Sequence, residues 1–223
     1  MATPPQEEQN DCDPCFQFLF KEPTIKELLA FDKWLRKRGG HQIYMHPGLC
    51  YKINNKKGFG IGARDIADLK KETVIFRIPR IMILSVRQCT NPDLTEYLMR
   101  EGLVDLLGLT IVFLYECGLG KYGFYHEYLQ CFRVPDVPRL WSEEEKATLA
   151  ACEIGIHGDT SLVSNTKILL IKDDINTCYT GFVEPFVEKY GVLLNPPFKA
   201  FSLQVWQRAI TVVASRYFEV FSI

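Results

Sequence analysis

The stretch GFGIGARDIADLKKETVIFRIPRIMILS, Gly58 to Ser85, decides the fold. Its opening, Gly58-Phe59-Gly60-Ile61-Gly62-Ala63, is rich in a residue that lets the backbone turn sharply and approach a ligand with no Cβ in the way. Gly58, Gly60 and Ala63 match the G-x-G-x-x-G/A spacing of a dinucleotide loop, but that loop must open a helix. Here the next residues, Arg64 to Glu72, read as a polar turn leading into a strand at Val74 to Ile78. A kinase phosphate loop would also run on as a strand, yet no V-A-I-K-like lysine, H-R-D or D-F-G motif follows. Two readings stay open on these residues alone: a glycine-rich turn in a small sheet, and a cofactor loop of another kind.

Outward from this stretch, the surrounding residues set the architecture. Short β-type runs at Cys50 to Ile53, Val74 to Ile78 and Met82 to Ser85 are separated by Asn54-Asn55-Lys56-Lys57-Gly58 and by Asp68 to Glu72, the rhythm of a small antiparallel sheet with tight turns. Before it, Thr24 and Glu27 form a capping-box pattern and Ile25, Leu28, Phe31 and Leu35 share one face, which predicts a helix from Thr24 to Arg38 ended by Gly39-Gly40. Lys33, Arg36, Lys37 and Arg38 in its last turns complement the helix dipole. After Pro92 the pattern is helical: Leu94 to Glu101, Leu103 to Cys117, Trp141 to Ala151, Ser161 to Lys172, Phe182 to Tyr190 and Ser202 to Ser215, with Ser142 and Glu145 as a second capping box and Ser202 as an N-cap. No internal repeat is found. The fold class expected is α+β: a small antiparallel sheet with a leading helix and a large helical block.

Composition excludes several function classes. With 47% apolar and 24% charged residues in 223, the chain has the make-up of a globular protein with a substantial core. A net charge of −1 gives no overall attraction to nucleic acid or an anionic membrane, so a charged partner must be met by a local patch. The longest apolar run, Leu103 to Tyr115, is interrupted by Asp105 and is shorter than the roughly 20 residues of a membrane span. The first residues, Met1 to Asp11, lack the apolar core of a signal peptide. Eight cysteines scattered through apolar patterns suit reduced thiols in a cytoplasmic or nuclear protein. Cys12-Asp13-Pro14-Cys15 has the spacing of half a zinc site, but no second half follows, and no metal site is expected. His41, His46, His126 and His157 show no ligand spacing.

With the flanking residues added, Gly58 to Ser85 resembles the opening of the SET domain: a G-x-G loop, an A-x-x-D-I step, a K-K-x-E turn and a strand that ends at a proline. Three further segments are similar in the same order. FDKWLRKRGG (Phe31 to Gly40) looks like the leading W-x-x-x-x-G-G helix of the Rubisco-large-subunit-methyltransferase branch of SET proteins. The stretch Phe113 to Leu149 resembles that branch's helical insert, and VWQRAITVVASRYFEV (Val205 to Val220) its S-R-x-F segment. Residues 1–15 read as a loose, disordered tail; the resemblance covers residues 24 to 223 and implies a leading helix and N-terminal SET sheet at 16–88, a helical insert at 89–214, and the start of the C-terminal SET region at 215–223.

The resemblance implies transfer of a methyl group from S-adenosylmethionine to a lysine of a protein substrate, a ribosomal protein or translation factor by family, with the chain a monomer that binds neither nucleic acid nor membrane. Carried over, Lys57, Gly58, Phe59 and Gly60 would lie against the cofactor, and Lys57 stands where the family often has an acid. Pro138 falls in the part of the insert that closes over the cofactor, and Arg216 and Phe218 border the cofactor and the lysine channel, where they are the catalytic candidates. Each has a structural alternative: Pro138 stops a helix, Phe218 is core, Arg216 pairs with a carboxylate. The family's later Asn-His segment and channel tyrosine do not follow Phe218, so the expectation is an N-terminal portion, inactive by itself. A non-catalytic SET-like module that grips a partner protein is the competing class.

Overall fold

The computed structural model describes residues 14–54, 58–64, 69–137, 140–142, 144, 172–198 and 200–217. These residues form helices and small antiparallel sheets, in the order the sequence predicts. Helix α1 spans Ile25–Gly39 and is capped as its sequence requires: Glu27 Oε2 accepts from the Thr24 amide at 2.5 Å and the Thr24 hydroxyl at 2.6 Å. The glycine-rich run is not a loop. Gly58–Ala63 is a strand, β3, paired antiparallel with β2 (Leu49–Asn54) in unbroken register from Leu49↔Ala63 to Asn54↔Gly58. Alternation of glycine with Phe59, Ile61 and Ala63 is a period of two, which suits a pleated strand as well as a turn.

A second two-stranded sheet joins β1 (Tyr44–Met45) to β4 (Phe76–Arg77). The five-residue strand expected at Val74 to Ile78 is therefore cut to two residues, and Met82 to Ser85 is not a strand. Pro79 lacks the amide that a ladder needs, and its carbonyl instead accepts from Met82 N at 2.9 Å, turning Arg80–Met82 into a 3-10 helix.

Helix α2 (Pro92–Arg100) starts two residues earlier than its apolar pattern, because Asn91 Oδ1 accepts from the Asp93 and Leu94 amides. Helix α3 (Leu106–Gly118) starts three residues later than expected. Asp105, which interrupts the apolar run, is its N-cap and accepts from Leu107 N at 3.0 Å. A short α4 follows at His126–Leu129. The helix expected at Phe182 to Tyr190 begins much earlier. It runs as α5 (Lys172–Cys178), a π-helical turn (Tyr179–Val183) and α6 (Glu184–Tyr190). Helix α7 (Leu203–Ala214) is capped by Ser202, whose Oγ accepts from Val205 N. The helix expected at Ser161 to Lys172 lies outside the described residues apart from Lys172, and that at Trp141 to Ala151 does so apart from 141, 142 and 144.

The core is helical. Every residue of α3 from Thr110 to Cys117 is buried, and α7 packs on it through Val205, Trp206, Ala209, Ile210 and Val213. Trp206 is wholly enclosed, its indole N–H donating to Ile175 O at 3.2 Å, which ties α7 to α5. One contribution had no periodic signal. Pro14–Phe20, whose first two residues fall in the tail expected at 1–15, forms a 3-10 helix that buries Phe16, Phe18 and Leu19 against this core. Cys50, Cys89, Cys117 and Cys131 are free thiols, with Cys89 and Cys131 pushed up to about 12 by burial. Among the described residues no helix is long and apolar enough to cross a membrane, and no group of three or more metal-ligating side chains is assembled.

Candidate functional site

Of the residues singled out in the sequence, Gly58, Phe59 and Gly60 fall on β3, opposite Asn54, Ile53 and Lys52, and Arg216 follows α7. Lys57, Pro138 and Phe218 lie outside the described residues.

The glycines of β3 differ in what explains them. A Cβ at Gly62 would sit 2.6 Å from Cδ and Cε of Lys52, whose stem lies across it. At Gly60 an added Cβ would meet nothing within 4 Å, and its φ is not in the left-handed region that favours glycine. Glycine in a strand interior costs about 0.5–1 kcal/mol relative to alanine, so among the described residues Gly60 has neither a packing nor a conformational reason. The exposed β3 backbone at Gly60 is a surface that a ligand can approach to main-chain contact distance.

The hairpin is held by α1. Tyr51 on β2 donates its hydroxyl to Asp32 Oδ1 at 3.1 Å, and the other oxygen of Asp32 takes Arg36 Nε at 2.8 Å. Burial, then the hydrogen bond to Asp32, pushes the Tyr51 phenol up to about 12. At the open end, Arg64 donates from its amide to Gly48 O and from Nε to Leu49 O. These contacts fix the plane of β2 and β3 without using Gly60.

Arg216 is placed by the residues just before Pro138. Its Nη2 donates to Arg133 O at 3.1 Å, its Nη1 to Ser215 Oγ at 2.7 Å and Val212 O at 3.3 Å, and the guanidinium stacks over the Phe132 ring at 5.1 Å. The expected alternative, a carboxylate partner, is not what the structure shows: among the described residues Arg216 meets carbonyls, a hydroxyl and a ring. Desolvation of its inner side lowers its pKa while the residue as a whole remains exposed. The result is a positioned cation with no neutralising anion among the described residues.

Arg216 and the hairpin are built on a shared support. Phe132 packs edge-on against Tyr128 at 4.8 Å, and Tyr128 stacks on Trp34 of α1 at 6.3 Å with their planes 7° apart. Cys131, in the same turn, donates its thiol to Glu27 O of α1 at 3.2 Å. It is close enough to raise the proton affinity of both Tyr51 and Tyr128, and Arg216 in turn lowers that of Tyr128. The segments 51, 128–133 and 216 thus converge on the α1 surface. Sequence reasoning missed Asp32, Tyr51, Tyr128 and Phe132, since pairs 19 and 90 or more residues apart leave no local signal. Glu116 is a further unpredicted feature: wholly buried in α3, it accepts at Oε1 from Thr90 N (2.9 Å) and Oγ1 (2.6 Å), while Oε2 has no partner. Burial raises its pKa against the Thr90 hydrogen bonds.

No family model matches the chain, and no curated protein matches it.

Proposed function

We propose that this chain belongs to an S-adenosylmethionine-dependent methyltransferase of SET type that modifies a lysine side chain on a protein, a ribosomal protein or a translation factor by family resemblance. The observation that carries the reading is Gly60, an exposed strand glycine whose absent Cβ would meet none of the described residues within 4 Å, which leaves room for a ligand's closest approach. The residues fit the cofactor: Gly58 to Gly60 offer main-chain groups along its amino-acid end, and Arg216 offers a cation without a counter-anion among the described residues. S-adenosylmethionine, when bound, supplies a methyl group activated by the sulfonium. The chain's part is to hold donor and acceptor in line and exclude water, the conditions under which a lysine amine near pKa 10.4 is delivered neutral and close.

Calorimetric titration of S-adenosylmethionine into the 223-residue chain tests the reading. A Kd in the micromolar range is expected, about 8 kcal/mol of binding. Gly60→Val is expected to weaken binding at least tenfold while leaving the circular dichroism spectrum unchanged, because Gly60 is exposed and a Cβ there meets no described residue within 4 Å. Equal affinity in the variant would overturn the assignment of β3, and no binding by either chain would overturn the cofactor reading. A second reading, a SET-like module that grips a protein without catalysis, is favoured by the exposed isoleucines of residues 75–83.

A further inference from the structure

The net charge of −1 conceals a division. Residues 16–88 carry fifteen Lys and Arg against six Asp and Glu, a net +9, and the rest of the chain carries eleven against twenty-one, a net −10. Within the positive part, Lys70, Lys71, Arg77 and Arg80 are exposed and form no ion pair with a described residue. The same segment exposes Val74, Ile75, Ile78, Ile81 and Ile83, each between 45% and 60% accessible. Five exposed branched aliphatic side chains interleaved within one ten-residue segment with cations are a concentration of exposed apolar groups of the kind that marks an interaction site.

The backbone adds a second observation. Strand β4 has β1 as its sole partner among the described residues. Tyr44 pairs with Arg77, and His46 N donates to Ile75 O at 2.9 Å, so residues 75 and 77 turn their main-chain groups toward β1. By the alternation of an antiparallel ladder, Phe76 turns its N–H and C=O to the opposite, open edge. An open edge of this kind is a template for another strand. Pro79, just beyond, limits how far such pairing runs.

We propose that the open edge of β4, with residues 70–83 around it, docks an extended acidic and apolar segment of a partner protein by strand addition. Main-chain bonds to Phe76 give the pairing, the isoleucines take alternate apolar side chains, and Lys70, Lys71, Arg77 and Arg80 take the acidic ones. Polypeptide fits better than nucleic acid or an anionic membrane, because neither of those supplies main-chain donors and acceptors to the edge. A second copy docked face to face would set Lys70, Lys71, Arg77 and Arg80 against their own copies. This inference is independent of methyl transfer.

The test uses a fluorescent synthetic peptide of about eight residues, an ordinary strand's length, alternating Glu with Val or Ile. Its counterparts are the Lys-for-Glu peptide and the acidic peptide N-methylated at alternate residues. Saturable binding of the acidic peptide alone is expected, weakened by salt and lowered at least tenfold by Arg77→Glu with Arg80→Glu. Circular dichroism should stay unchanged, since both side chains are exposed. Equal binding of the lysine or N-methylated peptide would overturn the proposal, as would an indifferent double variant. So would adsorption to phosphatidylserine vesicles without peptide binding, or sedimentation showing that the chain occupies the surface with a second copy.

Discussion

Helix α3 buries every residue from Thr110 to Cys117, whereas the segment from Val74 to Ile83 leaves five branched aliphatic side chains half-exposed. Both stretches are strongly apolar. The difference lies in what the backbone permits. A helix satisfies its own main-chain groups and can be surrounded by side chains on all sides, and α3 is enclosed by α7, the 3-10 helix at Pro14–Phe20 and the 86–90 segment. A two-residue strand satisfies few of its groups, and two separate two-stranded sheets cannot close a core of their own. The sheets are instead carried by α1, through the contact of Tyr51 with Asp32 and that of α1 with Arg80–Met82. Stability is thus concentrated in the helical part and binding surface in the sheet part, a division that stability measurements on variants can break or sharpen.

The largest effect is expected at Trp206. Trp206→Ala removes a wholly buried indole and its bond to Ile175 O, and a loss of about 3–5 kcal/mol follows from such deletions, read from the denaturant midpoint. Ile81→Ala, at 60% exposure, should stay within about 0.5 kcal/mol. A comparable loss at both positions would show that the sheet surface is packed rather than free.

Glu116 comes next, with a sign set by its raised pKa. Its carboxyl keeps its proton in the folded chain to a higher pH than in the unfolded one. The stability it contributes is therefore fully present below the unfolded pKa and lost as pH rises through the folded one. Glu116→Gln should flatten the fall in melting temperature above pH about 4.5, raising it at pH 7 and leaving it unchanged at pH 4. A variant that melts lower at pH 7 would mean that the charged form is the one the fold requires.

The smallest effect is expected where the two regions join. Tyr51→Phe removes one partly buried hydrogen bond to Asp32, worth about 1 kcal/mol, and should loosen the hairpin without disturbing the helices. Faster amide exchange confined to β2 and β3 would sharpen the division, and exchange spreading into α3 would break it.

Much of this fold can be read directly in the chain. The capping box of α1, the Ser202 cap of α7 and the order of sheet before helices follow from local spacing, because caps and periodicity act within a few residues. Boundaries moved wherever one polar residue had two readings: Asp105 reads as a break and is a cap, and Asn91 extends α2 by two residues. The glycines of β3 were read as a loop because alternation with Phe59, Ile61 and Ala63 is equally compatible with a turn; pairing with β2 decides it. Of the site, the candidates Gly58, Phe59, Gly60 and Arg216 were visible as motif positions. Their supports were not.

The existence of α1, α2, α3 and α7, the caps of α1 and α7, the position of the glycine-rich segment and the charge division between residues 16–88 and the remainder follow from the sequence alone, since each depends on neighbours in the chain. Among the described residues, it took the tertiary arrangement to show that Gly60 faces open space while Gly62 lies under Lys52, that Arg216 rests on Phe132 without a carboxylate, and that β4 pairs on one edge alone. Those properties depend on which distant residues arrive beside a position, and burial and pairing across 19 or 84 positions are fixed by packing, which no local pattern encodes.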